Sequence, residues 1–353
     1  MAEISILQPQ VLRGVIEKFT TPENLRLLGR TPRVSHPFPT ANWEVIGGAR
    51  NIAKPNVPNS EAHVVPRLGR TALSAAFVYL REKKTFEPTT IHWLRQVAAN
   101  NSDLNRTNAE AAVLREVGDL NQRFDNFVEW MLWQALTGTL SFDGNGGVAV
   151  DVDYRFRADH KFEASQGWTG TTASATPSSL IADIRKAKEL VARHGQVAAT
   201  EALISEEGID AIFDSYAQAG ASVPGAMLSD SMKDQYYRTG TLPSFMGLNW
   251  IAESSVFDAD GASYTSEPTT PYEEQRFLDK DTVIIGNFTA NRPIELMEGP
   301  TADDEAPQGF TGKFSKTWKS PDPSARQVLL EWNTLPIITR PDQWVVMDIN
   351  KDA

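Results

Sequence analysis

The chain has 353 residues, more than one compact core usually encloses, so two or more lobes are expected rather than one small module. Hydrophobic residues make up 41% and charged residues 22%, with 9 Trp and 16 Phe as large apolar bodies, which excludes wholesale disorder. A formal net charge of -11 opposes non-specific attraction to nucleic-acid phosphates and anionic membranes, and 0 Cys excludes disulfides, thiolate metal sites and a Cys nucleophile.

At the N-terminus, Glu3 and the lack of a continuous apolar stretch argue against a secretion signal, so a cytoplasmic product is expected. Helical patterns lie around Val11, Leu12, Val15, Ile16 and Phe19, and again around Leu25, Leu27 and Leu28. Pro32, Pro37 and Pro39 then push their neighbours toward extended backbone, so Thr31 to Thr40 reads as an arm that needs a partner surface. From Trp43 to about Pro88 the pattern is strand-like but broken by Gly47, Gly48, Pro55, Pro58 and Pro66. An exposed hairpin and an ordinary surface loop are both open readings, but ~45 residues is long for a loop in a compact domain, and the length favours an excursion with a role of its own. Its apolar run Leu73–Leu80, the longest in the chain, is interrupted by Ser74 and falls far short of the ~20 residues that cross a bilayer.

Thr107 and Glu110 have capping-box spacing and predict a helix from Thr107 to about Thr137. Val113, Val117, Leu120, Phe124, Phe127, Met131 and Ala135 recur at three- and four-residue steps as its apolar face, while Glu116, Asp119, Arg123 and Glu129 lie mostly between them. At ~1.5 Å per residue such a helix is on the order of 45 Å long and spans a lobe. Gly138 ends it. Asp143-Gly-Asn-Gly-Gly147 predicts a turn between two strands, the second alternating through Val148, Val150, Val152, Tyr154 and Phe156.

The small, polar stretch Gly167 to Thr176 reads as a crossover. Thr176-Pro177 caps a predicted helix over 178–194 that stops at Gly195. A buried strand over 197–204 follows, then a helix over 205–218 capped by Ser205, a helix over 229–238 opened by Ser229, and strands over 246–252 and 282–286. Four more strand-like runs, 314–318, 328–332, 335–338 and 344–347, are separated by Pro321, Pro323, Pro336 and Pro341. The mixture is α+β.

Catalytic signatures are missing. The 5 His, at 36, 63, 92, 160 and 194, are isolated in sequence and read as structural or surface residues. There is no nucleophile elbow, phosphate loop or dinucleotide fingerprint. Asp143-Gly-Asn145 and Asp258-Ala-Asp260-Gly261 fit tight turns better than calcium loops, and Asp151 and Asp153 share a strand face that reads as solvated. No catalytic residue, cofactor or metal ligand is assigned. Arg50, Lys54, Arg67 and Arg70 lack the interleaved aromatics of a nucleic-acid surface; in so acidic a chain, docking on a carboxylate-rich neighbour and a merely solvated face are both open readings.

The C-terminal segments DTVIIGN (281–287) and KTWKSPDPSARQVLLEWNTLPIITRPDQWVVMDI (316–349), with Trp318, Asp322-Pro323, Leu335-Pro336 and Arg340-Pro341 as landmarks, resemble the major capsid protein E family of tailed phages, the lambda-type branch of the Hong Kong 97-like fold. The resemblance implies an N-terminal arm (1–41), an extended E-loop with its flanks (42–95), a peripheral domain (96–176) with the spine helix, an axial domain (177–290), a return to the peripheral sheet (291–333) and a C-terminal strand closing the axial sheet (334–353). It implies a non-enzymatic shell subunit of a double-stranded DNA phage, assembled in the bacterial cytoplasm as hexamers and pentamers and carried in the virion. Portal, scaffolding and decoration proteins would be further partners, and DNA would be enclosed without sequence-specific contact. Candidate contacts between copies are Arg50, Lys54, Arg67, Arg70, Phe38 and Trp43; the spine is expected to rest on Thr107, Glu110, Val113, Val117, Leu120, Phe124 and Met131. The alternatives are another phage assembly component, of the tail or decoration, and a hydrolase with an unrecognised carboxylate pair.

Overall fold

The computed structural model describes residues 25–48, 69–87, 89, 103–143, 149–169, 174–219, 230–239, 242, 244–258, 274–322 and 324–350. Its contacts divide the chain into two units, Met1–Asn42 with Ser74–Leu132 and Glu295–Ile337, and Trp43–Leu73 with Trp133–Ile294 and Ile338–Ala353.

In the first unit, the helix α1 (Asp103–Thr137, continuing into the second unit from Trp133) supplies the apolar stripe, with Val113, Val117, Leu120, Phe124 and Met131 all buried; Phe127 is only half-buried, and Val128 takes the buried position beside it. It starts at Asp103 rather than Thr107, so Thr107 lies inside the helix and does not cap it. Helical hydrogen bonding extends one turn upstream because Leu104, Asn105 and Arg106 contain neither Gly nor Pro to stop it. The side chains of Thr107 and Glu110 lie outside the described residues.

The sheet of this unit has the order β1 (Arg33–Ser35), β13 (Ile294–Glu298), β15 (Ser324–Ile338) and β14 (Phe314–Pro321), and β4 (Val78–Phe86) pairs antiparallel with β15. The arm therefore finds a partner in its own chain: β1 lies parallel to β13, with Val34 opposite Met297. The leucine pattern at 25–28 is a single turn rather than a helix, closed by the Arg30 and Thr31 N–H groups donating to the Leu27 carbonyl. Runs 328–332 and 335–338 are one 15-residue strand, not two. Pro336 lies beyond Thr334, the last residue registered with β4, and beyond Glu331, the last registered with β14, so its missing N–H interrupts neither ladder.

β2 (Thr40–Ile46) and β3 (Arg70–Ala76) pair as a two-stranded sheet, the stem of the expected hairpin. Along β2 every second side chain, Ala41, Trp43 and Val45, is buried. Residues 49–68, with Arg50, Lys54 and Arg67, lie outside the described residues, as do the helical pattern at 11–19 and the turn at 144–148.

The second unit is built on a sheet of order β7 (Lys161–Glu163), β16 (Trp344–Asp348), β12 (Thr282–Gly286), β8 (Glu201–Ser205) and β9 (Asn249–Glu253). β16 runs antiparallel to β12, with Ile284 opposite Val346, and so brings the last strand into the middle of this sheet. Helix α2 (Pro177–His194) lays Leu180, Ile184, Ala187 and Val191 on Ala202, Ile204, Val283, Ile285, Val345 and Met347. The Thr176 side chain accepts from the Ser179 N–H while the Ser179 hydroxyl receives the Thr176 N–H, a reciprocal cap.

Helix α3 (Glu206–Ala219) is capped as expected, since the Ser205 hydroxyl accepts from the Gly208 N–H at 3.1 Å. Helix α4 (Asp230–Thr239) and the hairpin β5 (Thr139–Asp143) with β6 (Ala149–Asp153) also match expectation, although β6 stops before Tyr154 and Phe156. The strand predicted over 197–204 starts only at Glu201, and the one over 246–252 runs Asn249–Glu253. A short pair, β10 (Val256–Asp258) with β11 (Glu274–Arg276), completes the strands.

Candidate assembly surfaces and the histidine pair

On α1 the apolar stripe does not divide buried from exposed. Asn121, Asp125 and Glu129, three polar residues at four-residue steps, are also buried, Glu129 being one of the charges that lie mostly between the apolar positions. Each is satisfied. The Glu129 carboxylate accepts the Leu27 and Leu28 N–H groups at 2.9 and 2.7 Å, acting as a long-range cap on that first turn. Lys313 donates to Asn121 and Asp125, and its ammonium lies 4.7 Å from the centre of the Trp332 ring. Burial lowers the Lys313 pKa against the opposing pull of Asp125. The i, i+4 spacing was legible in sequence; that the first turn and Lys313 would cover it was not.

The remaining polar positions of α1 meet β4. Glu82 and Lys84 alternate onto one strand face, where the Arg123 Nε donates to Glu82 at 2.8 Å and the Lys84 ammonium reaches Glu116 and Asp119, both at 2.6 Å. Burial alone would lower the Lys84 pKa, but the two carboxylates raise it. These pairs are partly wet, so they orient the helix more than they stabilise it.

At the other end of this sheet, burial raises the pKa of Glu298, which accepts from the Trp332 indole at 3.2 Å and lies 3.9 Å from Arg33 of β1. Phe38, just beyond, is 63% exposed and rests edge-on against His36. Arg70 is exposed and pairs with Glu44 within its own chain at 2.8 Å. Trp43 is buried against Tyr154, so it is a core residue of the second unit rather than a contact for another copy. Its indole N–H has no acceptor among the described residues. Asp151 and Asp153 are exposed on one face of β6, as expected.

Within the second unit three segments converge. The Gly48 N–H donates to Asp342 at 3.0 Å, and a Cβ on Gly48 would stand 1.9 Å from the His194 carbonyl oxygen. A Cβ on Gly195 would stand 2.5 Å from the Asp342 carbonyl oxygen. Gly195 has φ -75°, so close approach, not left-handed backbone, is what requires glycine where α2 ends. A small cleft between them is lined by Gly48, His194, Arg340 and Gln343. The Gln343 side chain is buried, and its amide has no partner among the described residues.

Beside this cleft the fold joins two histidines that lie far apart in sequence. His160 ends a 3-10 turn (Ala158–His160) and is fully buried; His194 is the last residue of α2. His160 Nδ1 is 2.8 Å from the Trp344 carbonyl, so that nitrogen carries the hydrogen and donates it, and Nε2 faces His194 Nδ1 at 2.9 Å. Burial lowers the His160 pKa. Asp159 Oδ2 lies 3.7 Å from His194 Nδ1, while Oδ1 accepts from Arg157 Nε at 3.2 Å. Burial alone would raise the Asp159 pKa, but Arg157 and the two imidazoles lower it. Two histidines isolated in sequence thus meet in the fold; no local spacing could have signalled a meeting across 34 residues. Among the described residues, no helix is long and apolar enough to cross a membrane.

The fold is shared with solved shell proteins. The capsid protein of a prophage of E. coli CFT073 aligns with a TM-score of 0.59 and 16% identity over 99% of each chain. The capsid of Ralstonia phage GP4 aligns with a TM-score of 0.52 and 11% identity over 94% of this chain and 89% of that one. A comparison with curated proteins gave no match. These likenesses show the Hong Kong 97-like fold. The model of the family "Phage major capsid protein E" matches residues 10–349, and the chain belongs to that family. Its role is structural, in the icosahedral shell of a bacteriophage head, and its place is the virion.

Proposed function

We propose that copies of this chain close into a shell of hexamers and pentamers around double-stranded DNA, without turnover and without sequence-specific contact, after assembly in the bacterial cytoplasm. The observation that carries this reading is the family match across residues 10–349. In this reading residues 1–41 are the N-terminal arm, 42–95 the extended loop and its flanks, 96–176 and 291–333 the peripheral domain, and 177–290 and 334–353 the axial domain. The placement of β16 beside β12 supports the last assignment. Exposed Phe38 and Arg70, with Arg50, Lys54 and Arg67, are the contacts proposed between copies. Portal, scaffolding and decoration proteins are the further partners. A net charge of -11 suits a wall that must not hold DNA tightly.

Electron microscopy of the purified chain over a range of concentration and salt tests this. Closed particles, rings or sheets are expected. Tubes of fixed width would point to a tail component, and a small oligomer at every condition would overturn the proposal.

A further inference from the structure

We propose that His160 Nε2, His194 Nδ1 and Asp159 Oδ2 form a binding site for a divalent late first-row transition-metal ion at the C-terminal end of α2. The three ligand atoms lie within 4.8 Å of one another, and all three residues belong to the second unit. The Trp344 carbonyl holds the Nδ1 hydrogen of His160, which leaves Nε2 as a lone pair aimed at the partner ring; a histidine fixed in this way through its other nitrogen is the usual arrangement at metal sites. Arg157 engages Oδ1 of Asp159, which leaves Oδ2 toward His194.

Two imidazoles and one carboxylate suit first-row metals that keep further positions for water. The separation of the nitrogens favours one geometry. With bonds of ~2.1 Å, nitrogens 2.9 Å apart subtend an angle near ~90°, whereas a tetrahedral zinc site would hold them ~3.4 Å apart. An octahedral or square arrangement, as for Ni2+ or Cu2+, is therefore preferred. The negative end of α2, an 18-residue helix, adds a favourable field for a cation. His160 is sealed from solvent while the His194 side chain is 13% exposed, so an ion enters from the His194 side. On binding, the metal takes the place of the hydrogen that lies between His160 Nε2 and His194 Nδ1, and His194, neutral before and after, carries its one hydrogen on Nε2 instead, by exchange with solvent. The site lies within one chain and does not depend on the assembly reading.

The test is calorimetric titration of the tag-free, chelator-stripped full chain with Ni2+, with X-ray absorption spectroscopy of the loaded protein. One Ni2+ per chain and two imidazole ligands are expected. His194→Gln and, at the exposed ligand, Asp159→Asn should each weaken binding at least tenfold, while His36→Gln should leave it unchanged. Should His194→Gln fail to fold, judged by circular dichroism, Asp159→Asn carries the same comparison. Binding of less than one equivalent, a spectrum without imidazole, or unchanged affinity in Asp159→Asn and a folded His194→Gln would overturn the proposal and leave the pair as a hydrogen bond only.

Discussion

Glu129 carries two tasks with one carboxylate: it completes the polar stripe of α1 and satisfies the buried Leu27 and Leu28 N–H groups. Removing it leaves two buried donors unpaired, so Glu129→Ala is expected to lose about 2–5 kcal/mol. Glu116→Gln, at a side chain 53% exposed, should lose less than about 1 kcal/mol. Urea denaturation of the unassembled chain measures both, and equal losses would mean that the cap is not as described. Glu298 gives a pH signature. Burial raises its pKa, so the folded chain holds that proton more tightly than the unfolded one, and the stabilisation is complete below about pH 4.3 and fades as pH rises through the folded value. The stability of the wild type relative to Glu298→Gln should fall over that interval. A difference independent of pH would sink this account.

Among the elements, the pairing of β12 with β16 depends on the absence of one side chain. A Cβ on Gly286 would come within 2.2 Å of the Trp344 Cβ and 2.6 Å of the Gln343 carbonyl oxygen, and neither neighbour can yield without moving β16. Gly286→Ala should therefore cost several kcal/mol, about the level of a severe core defect, whereas Gly69→Ala, with nothing within 4 Å of its added Cβ, should be close to neutral. Thermal denaturation of the two variants decides it. The docking of α1 on β4 shows how two periodicities meet. Alternate strand residues Glu82 and Lys84 face helix residues three and seven positions apart, so charges that lie between the apolar positions of α1 become the pairs that orient the helix.

At the scale of the whole molecule, the class of protein was legible in the sequence because its landmarks are local: Trp318 lies within β14, and Arg340-Pro341 opens the 3-10 turn that leads into β16. The proposed contacts between copies belong to this scale. The triple reversal Arg50→Glu, Lys54→Glu, Arg67→Glu should leave the circular dichroism of the chain unchanged and abolish closed particles in electron microscopy; particles in normal yield would remove these residues from the contact set. Net charge acts here too. Each added copy brings -11 to the shell, so opposite charges must be placed locally if copies are to adhere.

What the sequence determined by itself was whatever is written in short-range pattern: the apolar stripe of α1, the Thr176 and Ser205 caps, the strand at 282–286 and the glycine that ends each long helix. These depend on a few neighbouring residues and on the periods of helix and strand. Tertiary structure alone decided the rest. It made Glu129 a cap for a turn about a hundred residues away, tied Lys313 to Asp125, buried Trp43, and joined His160 to His194. In each of these a polar or aromatic group exchanges water for a partner distant in the chain, and no local rule fixes which partner that is.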